Sequence, residues 1–438
     1  MTDPQLHSDA SRYTAEASRR AWDIPGLSEN TRPRPVRTVG IIGAGTMGGG
    51  IAMNFASAGY PVTLLETRQD ALERGLNVVR ANYQRSADRG RFPQDEVETR
   101  MARLTGTLAF ADLADCDLVI EAVFENMALK KTIFADLDRV MKPGAILATN
   151  TSALDIDEIA TATRRPADVI GLHFFSPANV MKLLEVVRAD HTADDVVATA
   201  MALAKEINKI AVLVGVCPGF VGNRILHARQ LQANKLLYTG VMPWQIDAAI
   251  NAFGFRMGPY QMADLAGLDI GWSNGAKTQN PIRDALCEMD RRGQKTGAGF
   301  YDYDDARVAS PSPITEQVIR DITGAQPRTL SQEEIIETCI FPMINEGLKI
   351  LEDNKAQRPS DIDVVWLNGY GWPGDKGGPM FYGDQVGARA ILERMETLAA
   401  EDPAFAPATT LKRLATEGGR FTELDLGGLK TAATTKER

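Results

Sequence analysis

Two residues interrupt apolar runs twelve positions apart, and their pairing is the first sign of chemistry. His173 lies in Gly171-Leu172-His173-Phe174-Phe175-Ser176-Pro177, after an apolar run and before a proline stop; Glu185 breaks Leu183-Leu184-Glu185-Val186-Val187. A carboxylate in such a run is costly to desolvate without a partner. Strand, turn and strand would set the two side chains opposite each other. The residues alone leave two readings open. One is a structural buried pair. The other is a base oriented by an acid, the arrangement needed to take a hydroxyl proton as hydride leaves. The other histidines lack this setting: His7 lies in a polar N-terminal stretch, His191 in Asp190-His191-Thr192, and His227 on a helix.

A second constellation is Gly43-Ala44-Gly45-Thr46-Met47-Gly48, a GxGxxG turn after a β-branched run, with Glu66 eighteen residues beyond Gly48. In such a turn the first glycine makes the bend and the second admits a pyrophosphate. The third lets helix pack on sheet, while the helix N-terminus receives the phosphates. Gly43, Gly45, Met47 and Gly48 are therefore expected cofactor contacts. Glu66 is expected to accept from a ribose 2′-OH and repel a 2′-phosphate, selecting NAD; Arg68 is the counterargument, since it could pair with that phosphate.

The elements that must hold these residues follow from periodicity. Arg37–Ile42, Val62–Leu65, Leu118–Ile120 and Ala145–Ala148 read as buried strands. Met47, Ile51, Phe55 and Ala58, then Leu129, Ile133, Phe134, Leu137 and Val140, trace helix faces. Strands alternating with such helices imply βαβ units and a parallel sheet. Alternation stops near Cys217-Pro218-Gly219, where long helical patterns begin. Ile246-Asp247-Ala248-Ala249-Ile250 leading to Gly258-Pro259 is echoed by Ile362-Asp363-Val364-Val365-Trp366 leading to Gly378-Pro379. The expected architecture is an α/β Rossmann-type dinucleotide-binding domain followed by two repeated all-α domains. Its divisions are a flexible arm 1–35, a nucleotide domain 36–217, a substrate-side helical domain 218–309, a linker 310–330 and a structural second copy 331–438. With Leu237 and Leu351 aligned, Asn223 of the first copy falls opposite Glu337 of the second. Ile340, Ile344, Leu348 and Leu351 are expected to pack on the first copy, giving a monomer with an internal pseudo-dimer.

Bulk composition removes other classes. The chain has 438 residues, too many for one core. Its 48 basic and 57 acidic residues give a net charge of −9, a poor match to nucleic acid or anionic membranes. No apolar stretch nears the ~18 residues of a membrane span. Four scattered cysteines suit reduced thiols in a cytoplasm and argue against a metal site. The first 35 residues lack an apolar signal core, and the terminal Thr-Lys-Glu-Arg is no peroxisomal address. A cytoplasmic protein is the expectation.

Gly43–Gly48, Val119–Glu125, Asn150-Thr151-Ser152, His173–Pro177, Met181–Val187 and Pro218-Gly219-Phe220-Val221-Gly222-Asn223-Arg224 together resemble the L-3-hydroxyacyl-CoA dehydrogenase family in order and spacing. The helical copies and Gly377–Tyr382 look like the dehydrogenase half of multifunctional fatty-acid β-oxidation enzymes. The resemblance, over about Val36 to Gly428, implies that His173 is the general base and Glu185 its orienting partner. It implies that Ser152 and Asn223 bond the substrate oxygens. It further implies that Glu125, Lys130, Ser152 and Lys295 lie on the nicotinamide ribose side of NAD. Many single-function relatives carry asparagine where this chain has Ser176.

The implied reaction is reversible NAD-dependent oxidation of a (3S)-3-hydroxyacyl-CoA to a 3-ketoacyl-CoA. Six arginines between Arg68 and Arg91, against three acids, form a local excess that suits coenzyme A phosphates or a solvated helix face. Only 35 residues precede Val36, so no hydratase activity is expected. Two alternatives stand beside this reading: a β-hydroxyacid dehydrogenase, which would rely on a lysine, and a non-catalytic member of a β-oxidation assembly.

Overall fold

A computed structural model of the chain describes all residues except 1–3, 29, 276 and 430–438; Thr435–Arg438, with the expectation attached to it, lies outside the described residues. The chain divides into two compact units: Met1–Arg224, Ile350–Tyr370 and Thr422–Arg438 form one, and Ile225–Lys349 with Gly371–Phe421 the other.

The first unit is built on eight strands: β1 (Val39–Ile42), β2 (Val62–Leu65), β3 (Leu104–Thr107), β4 (Leu118–Glu121), β5 (Ile146–Thr149), β6 (Val169–Phe174), β7 (Leu183–Arg188) and β8 (Ile210–Gly215). They lie in the order β3-β2-β1-β4-β5-β6-β7-β8. β1, β4 and β5 are buried at every position, as strands of a parallel sheet covered on both faces must be. The Thr46–Ser57 helix lays Ile51 and Phe55 on Ile41, Leu64 and Ile120 to make the main core. Neither β3 nor β8 is among the runs named from the sequence; β3, Leu-Thr-Gly-Thr at the sheet edge, departs from the apolar pattern because its middle is exposed and polar. One pairing is antiparallel: β7 returns beside β6 with His173 opposite Glu185.

Three expectations are corrected. The supposed flexible arm contains a helix, Pro4–Arg20, that buries Ala10 and Ala17, while Tyr13 donates to Asp363 Oδ2 at 2.6 Å. At its far end Arg34 pairs with Asp168 and Asp195. The supposed linker contains the Pro313–Thr323 helix, which buries Val318 and Ile319. Ser312 caps it, proline opens it and left-handed Gly324 closes it, so its start and stop signals were present within a polar composition. Finally, the second helical copy is not one block. Its Pro359–Gly369 helix is buried from Pro359 to Trp366 and packs against β7, β8 and the Pro4–Arg20 helix. Its Ile362, Val364, Val365 and Trp366 are fully buried, and the polar Ser360, Asp361 and Asp363 are buried among them.

The second unit is mainly helical. The Pro243–Phe253, Pro259–Ala266 and Pro379–Val386 helices each begin with proline, whose missing N–H costs nothing there. Asp247, 1% exposed, accepts from the Tyr260 and Gln261 backbone N–H groups and from the Tyr301 hydroxyl, tying one helix to the start of the next. The two sequence copies share an aromatic cluster in this unit. Phe253 meets Trp372 and Tyr382 edge-on, with centroids at 5.4 and 5.1 Å. Ile340, Ile344, Leu348 and Leu351 are all buried, though Leu351 falls in the sheet unit.

Candidate active site

Because β1, β4, β5 and β6 are mutually parallel, their C-terminal ends share one edge of the sheet, where open α/β folds place ligands. Gly43, Glu121 and His173 all stand at that edge. At Gly43 the backbone has φ +100°, and a Cβ there would meet the Ala122 carbonyl at 2.8 Å; a Cβ on Gly48 would meet the Gly43 carbonyl at 1.8 Å. The turn therefore requires both glycines. Before Gly45 lies open space, and no side chain caps the helix that starts at Thr46. That cradle suits a pyrophosphate. It opens on a cavity of about 880 Å³ lined by Gly45, Thr46 and Glu66 on one side and Arg74, Arg85 and Arg89 on another.

Glu66 accepts from the Ala44 N–H at 3.0 Å and the Thr67 N–H at 2.8 Å. Burial alone would raise its pKa, but these bonds, the Thr67 hydroxyl and the Arg68 charge together hold it below the usual carboxylate range. Its charged form, the one that accepts from a ribose, is thus favoured. Arg68 is drawn away onto Asp70 at 2.9 and 2.6 Å.

At the end of β6, His173 Nδ1 lies 2.7 Å from Glu185 Oε2. Glu185 is fully buried, and its Oε1 accepts from the Gly222 N–H at 2.9 Å. An ionised carboxylate only accepts, so Nδ1 carries the proton and Nε2 keeps its lone pair. Phe175 and Phe220 pack on the imidazole with centroids at 4.4 and 5.7 Å. Asn223 Nδ2 lies 3.4 Å from the Ser152 carbonyl oxygen, and its Oδ1 accepts from Tyr370 at 2.7 Å. His173, Glu185, Ser152 and Asn223 therefore belong to one linked group.

Glu125 accepts from the Thr151 hydroxyl at 2.6 Å and from the Ser152 N–H at 2.8 Å and hydroxyl at 3.2 Å. Burial raises its pKa, yet these bonds and the Lys130 charge outweigh that and keep it ionised. Lys130 departs from its expected direct contact with the cofactor. It is 1% exposed, with its ammonium 2.7 and 2.9 Å from Glu121 and 3.4 Å from Glu125. Its charge is already spent on buried Glu121 and on the more exposed Glu125. Lys295 belongs to the second unit, where it pairs with Asp269. Ser176 is exposed, as are His191 and His227. Sequence reasoning assigned no role to Asn150, whose Oδ1 accepts from the Phe174 N–H at 2.8 Å and so fixes the backbone beside His173. It likewise missed Glu121, paired with Lys130 nine positions on, and Tyr370, whose partner Asn223 is 147 positions away.

A glycine turn for a pyrophosphate, an acid closing the second strand, and a histidine held by a buried acid at the same sheet edge are the equipment of an NAD-dependent dehydrogenase. Comparison with known proteins identifies its kind. The family model of the 3-hydroxyacyl-CoA dehydrogenase NAD binding domain matches residues 38–217, and that of the C-terminal domain matches 219–303 and 335–424. The chain belongs to the 3-hydroxyacyl-CoA dehydrogenase family. It is similar to the peroxisomal bifunctional enzyme of Cavia porcellus, 44% identical over 436 residues, covering 93% of this chain and 60% of that protein. It thus spans about 60% of the length of such curated relatives. Among solved structures, the dehydrogenase part of multifunctional enzyme 1 from C. elegans is 34% identical, with a TM-score of 0.66 and coverage of 92% and 96%. The 3-hydroxybutyryl-CoA dehydrogenase of Escherichia coli is 27% identical, with a TM-score of 0.75 and coverage of 88% and 99%.

Proposed function

We propose that this chain oxidises the 3-hydroxyl of a (3S)-3-hydroxyacyl-CoA to the 3-ketoacyl-CoA, reversibly, as a step of fatty-acid β-oxidation. The observation that carries the reading is the 2.7 Å pair of His173 Nδ1 and Glu185 Oε2, which leaves Nε2 as a base at the ligand edge of the sheet. Nε2 takes the hydroxyl proton, and Glu185 stabilises the imidazolium that results. Asn223 and Ser152 hold the oxygen that becomes a ketone. NAD, when bound, supplies the acceptor for the hydrogen leaving C3. Gly43, Gly45, Met47 and Gly48 would cradle its pyrophosphate, and Glu66 would take the adenosine ribose. Glu125 and Ser152 would face the nicotinamide ribose, with Lys130 acting through Glu125.

The arginine cluster supports an acyl-CoA substrate. Arg68 and Arg74 share Asp70 and Arg80 pairs with Glu98; Arg74 also lines the large cavity, where Arg85, Arg89 and Arg91 offer further positive charge to phosphates. The second copy fills, within one chain, a surface that a single copy would otherwise bury by dimerisation, so a monomer is proposed. Four free, buried cysteines suit a reducing compartment, and a cytoplasmic location is the reading kept.

The test is NADH consumption with acetoacetyl-CoA by the purified chain. Turnover with NADH and much less with NADPH is expected. NAD binding without turnover of any 3-ketoacyl-CoA would favour a binding-only role.

A further inference from the structure

The Pro359–Gly369 helix of the second copy ends on Tyr370, which lies in the same compact unit as His173 and Asn223. Its hydroxyl donates to Asn223 Oδ1 at 2.7 Å. An amide has two unlike ends: the oxygen only accepts, and the nitrogen only donates. With Oδ1 engaged by Tyr370, Nδ2 faces the Ser152 carbonyl at 3.4 Å, a long contact that a better acceptor can replace. Turning the amide over would set Oδ1 against that carbonyl, acceptor facing acceptor. We propose that Tyr370 is a positioning residue for the reaction, fixing the Asn223 amide so that its NH2 group meets the substrate's C3 oxygen. This rests on the acyl-CoA reading given above.

The ring is held as firmly as the hydroxyl. It stacks on Trp366 with centroids at 4.5 Å, and Trp366 is fully buried. Its edge meets Phe175 at 5.4 Å, and Phe175 in turn packs on the His173 imidazole. A Cβ added to Gly222 would come within 2.3 Å of the Tyr370 ring. The residue before Asn223 therefore gives the ring its room while its N–H serves Glu185. Tyr370 touches the base through Phe175 and the oxygen-holding amide directly. The second copy, which carries Glu337 where the first has Asn223, lends an orienting group to the one site in place of forming its own.

Tyr370→Phe tests this, because it keeps the stacked ring and removes only the O–H. The expected result is a fall in kcat of about fivefold, the size of one neutral hydrogen bond, in both reaction directions. The KM for NAD and the melting temperature should stay at their unaltered values. In an Asn223→Ala background the same change should cost nothing further, since the hydroxyl acts only through that amide. A Tyr370→Phe enzyme with unaltered kcat overturns the proposal, as does a full additional loss in the double variant. Absence of turnover in the unaltered chain, with NAD still bound, overturns the underlying reading and this proposal with it.

Discussion

Glu121 and Glu185 are both fully buried acids on strands of one sheet, yet their surroundings differ in kind. Glu121 accepts from the Val123 N–H, the Thr149 hydroxyl and, through both oxygens, the Lys130 ammonium. Its partner carries a permanent charge, and every bond is made before any ligand arrives. Glu185 has one backbone donor and a histidine, a partner whose ring can exist with or without a charge. A carboxylate opposite a fixed cation is a rivet. One opposite an imidazole is, on the proposed mechanism, a counter-charge for a proton taken up in the reaction. Burial alone thus does not mark a working residue; the partner's ability to gain a proton does.

The comparison is sharpened most strongly at Glu185. Glu185→Gln removes the imidazolium's counter-charge and should lower kcat by ~10²–10⁴-fold while NAD binding is retained. Steady-state rates within twofold of the unaltered enzyme would reduce Glu185 to a rivet as well. Lys130→Met should do the reverse, leaving Glu121 charged, buried and unpaired. A loss of roughly 3–5 kcal/mol in urea unfolding is expected, and the combined Glu121→Gln, Lys130→Met chain should recover most of it. If Lys130→Met instead unfolds normally and loses activity, the two regions are not distinct.

Glu66 is an intermediate case, a half-buried acid proposed above to hold the adenosine ribose. Glu66→Ala should weaken NAD by about tenfold, the value of a hydrogen bond to a charged group, and narrow the preference over NADP. Titration calorimetry with both cofactors reads this directly; unchanged discrimination would remove Glu66 from the cofactor site. The smallest effect is expected at Asp361. It is 2% exposed, its Oδ1 lacks a partner among the described residues, and Arg358 is its ion-pair partner. Burial pushes its carboxyl up to about 6 against the Arg358 charge. Because the folded pKa lies above the unfolded one, the penalty is absent below about pH 4 and grows as pH rises to about 6. Asp361→Asn should therefore raise stability by on the order of 1–2 kcal/mol at pH 8 and by less at pH 5. Equal melting shifts at both pH values would contradict it.

Much of this was legible in the chain because the signals are local. The glycine turn, the four central strands and the His173–Glu185 pairing each occupy a short window in which period and residue type agree. What stayed hidden depends on how elements are placed against one another. Lys130 shows no sign of burial on a helix of mixed polarity, although its partner Glu121 is only nine positions earlier, at the end of a strand. Tyr370 reads as the end of a helix until Asn223, 147 positions earlier, is placed against its hydroxyl. The N-terminal helix buries alanines, too weakly apolar to declare a face. The Pro313–Thr323 helix carried its cap, proline and glycine in plain view, and composition was allowed to outweigh them.

The contact of Tyr13 with Asp363 spans 350 positions, and it fixes an order of events at the ribosome. At ~5–20 residues per second, the Pro4–Arg20 segment waits roughly 20–70 s for the helix it packs on. During that interval its alanine face has no partner, and the segment should be open to chaperones and proteases. Ribosome-bound chains halted before residue 359 are expected to be cleaved within it, and chains halted well past residue 370 to resist; equal cleavage in both would mean the segment finds shelter elsewhere. The Pro4–Arg20 segment cannot take its place until a partner some 350 positions later has been made.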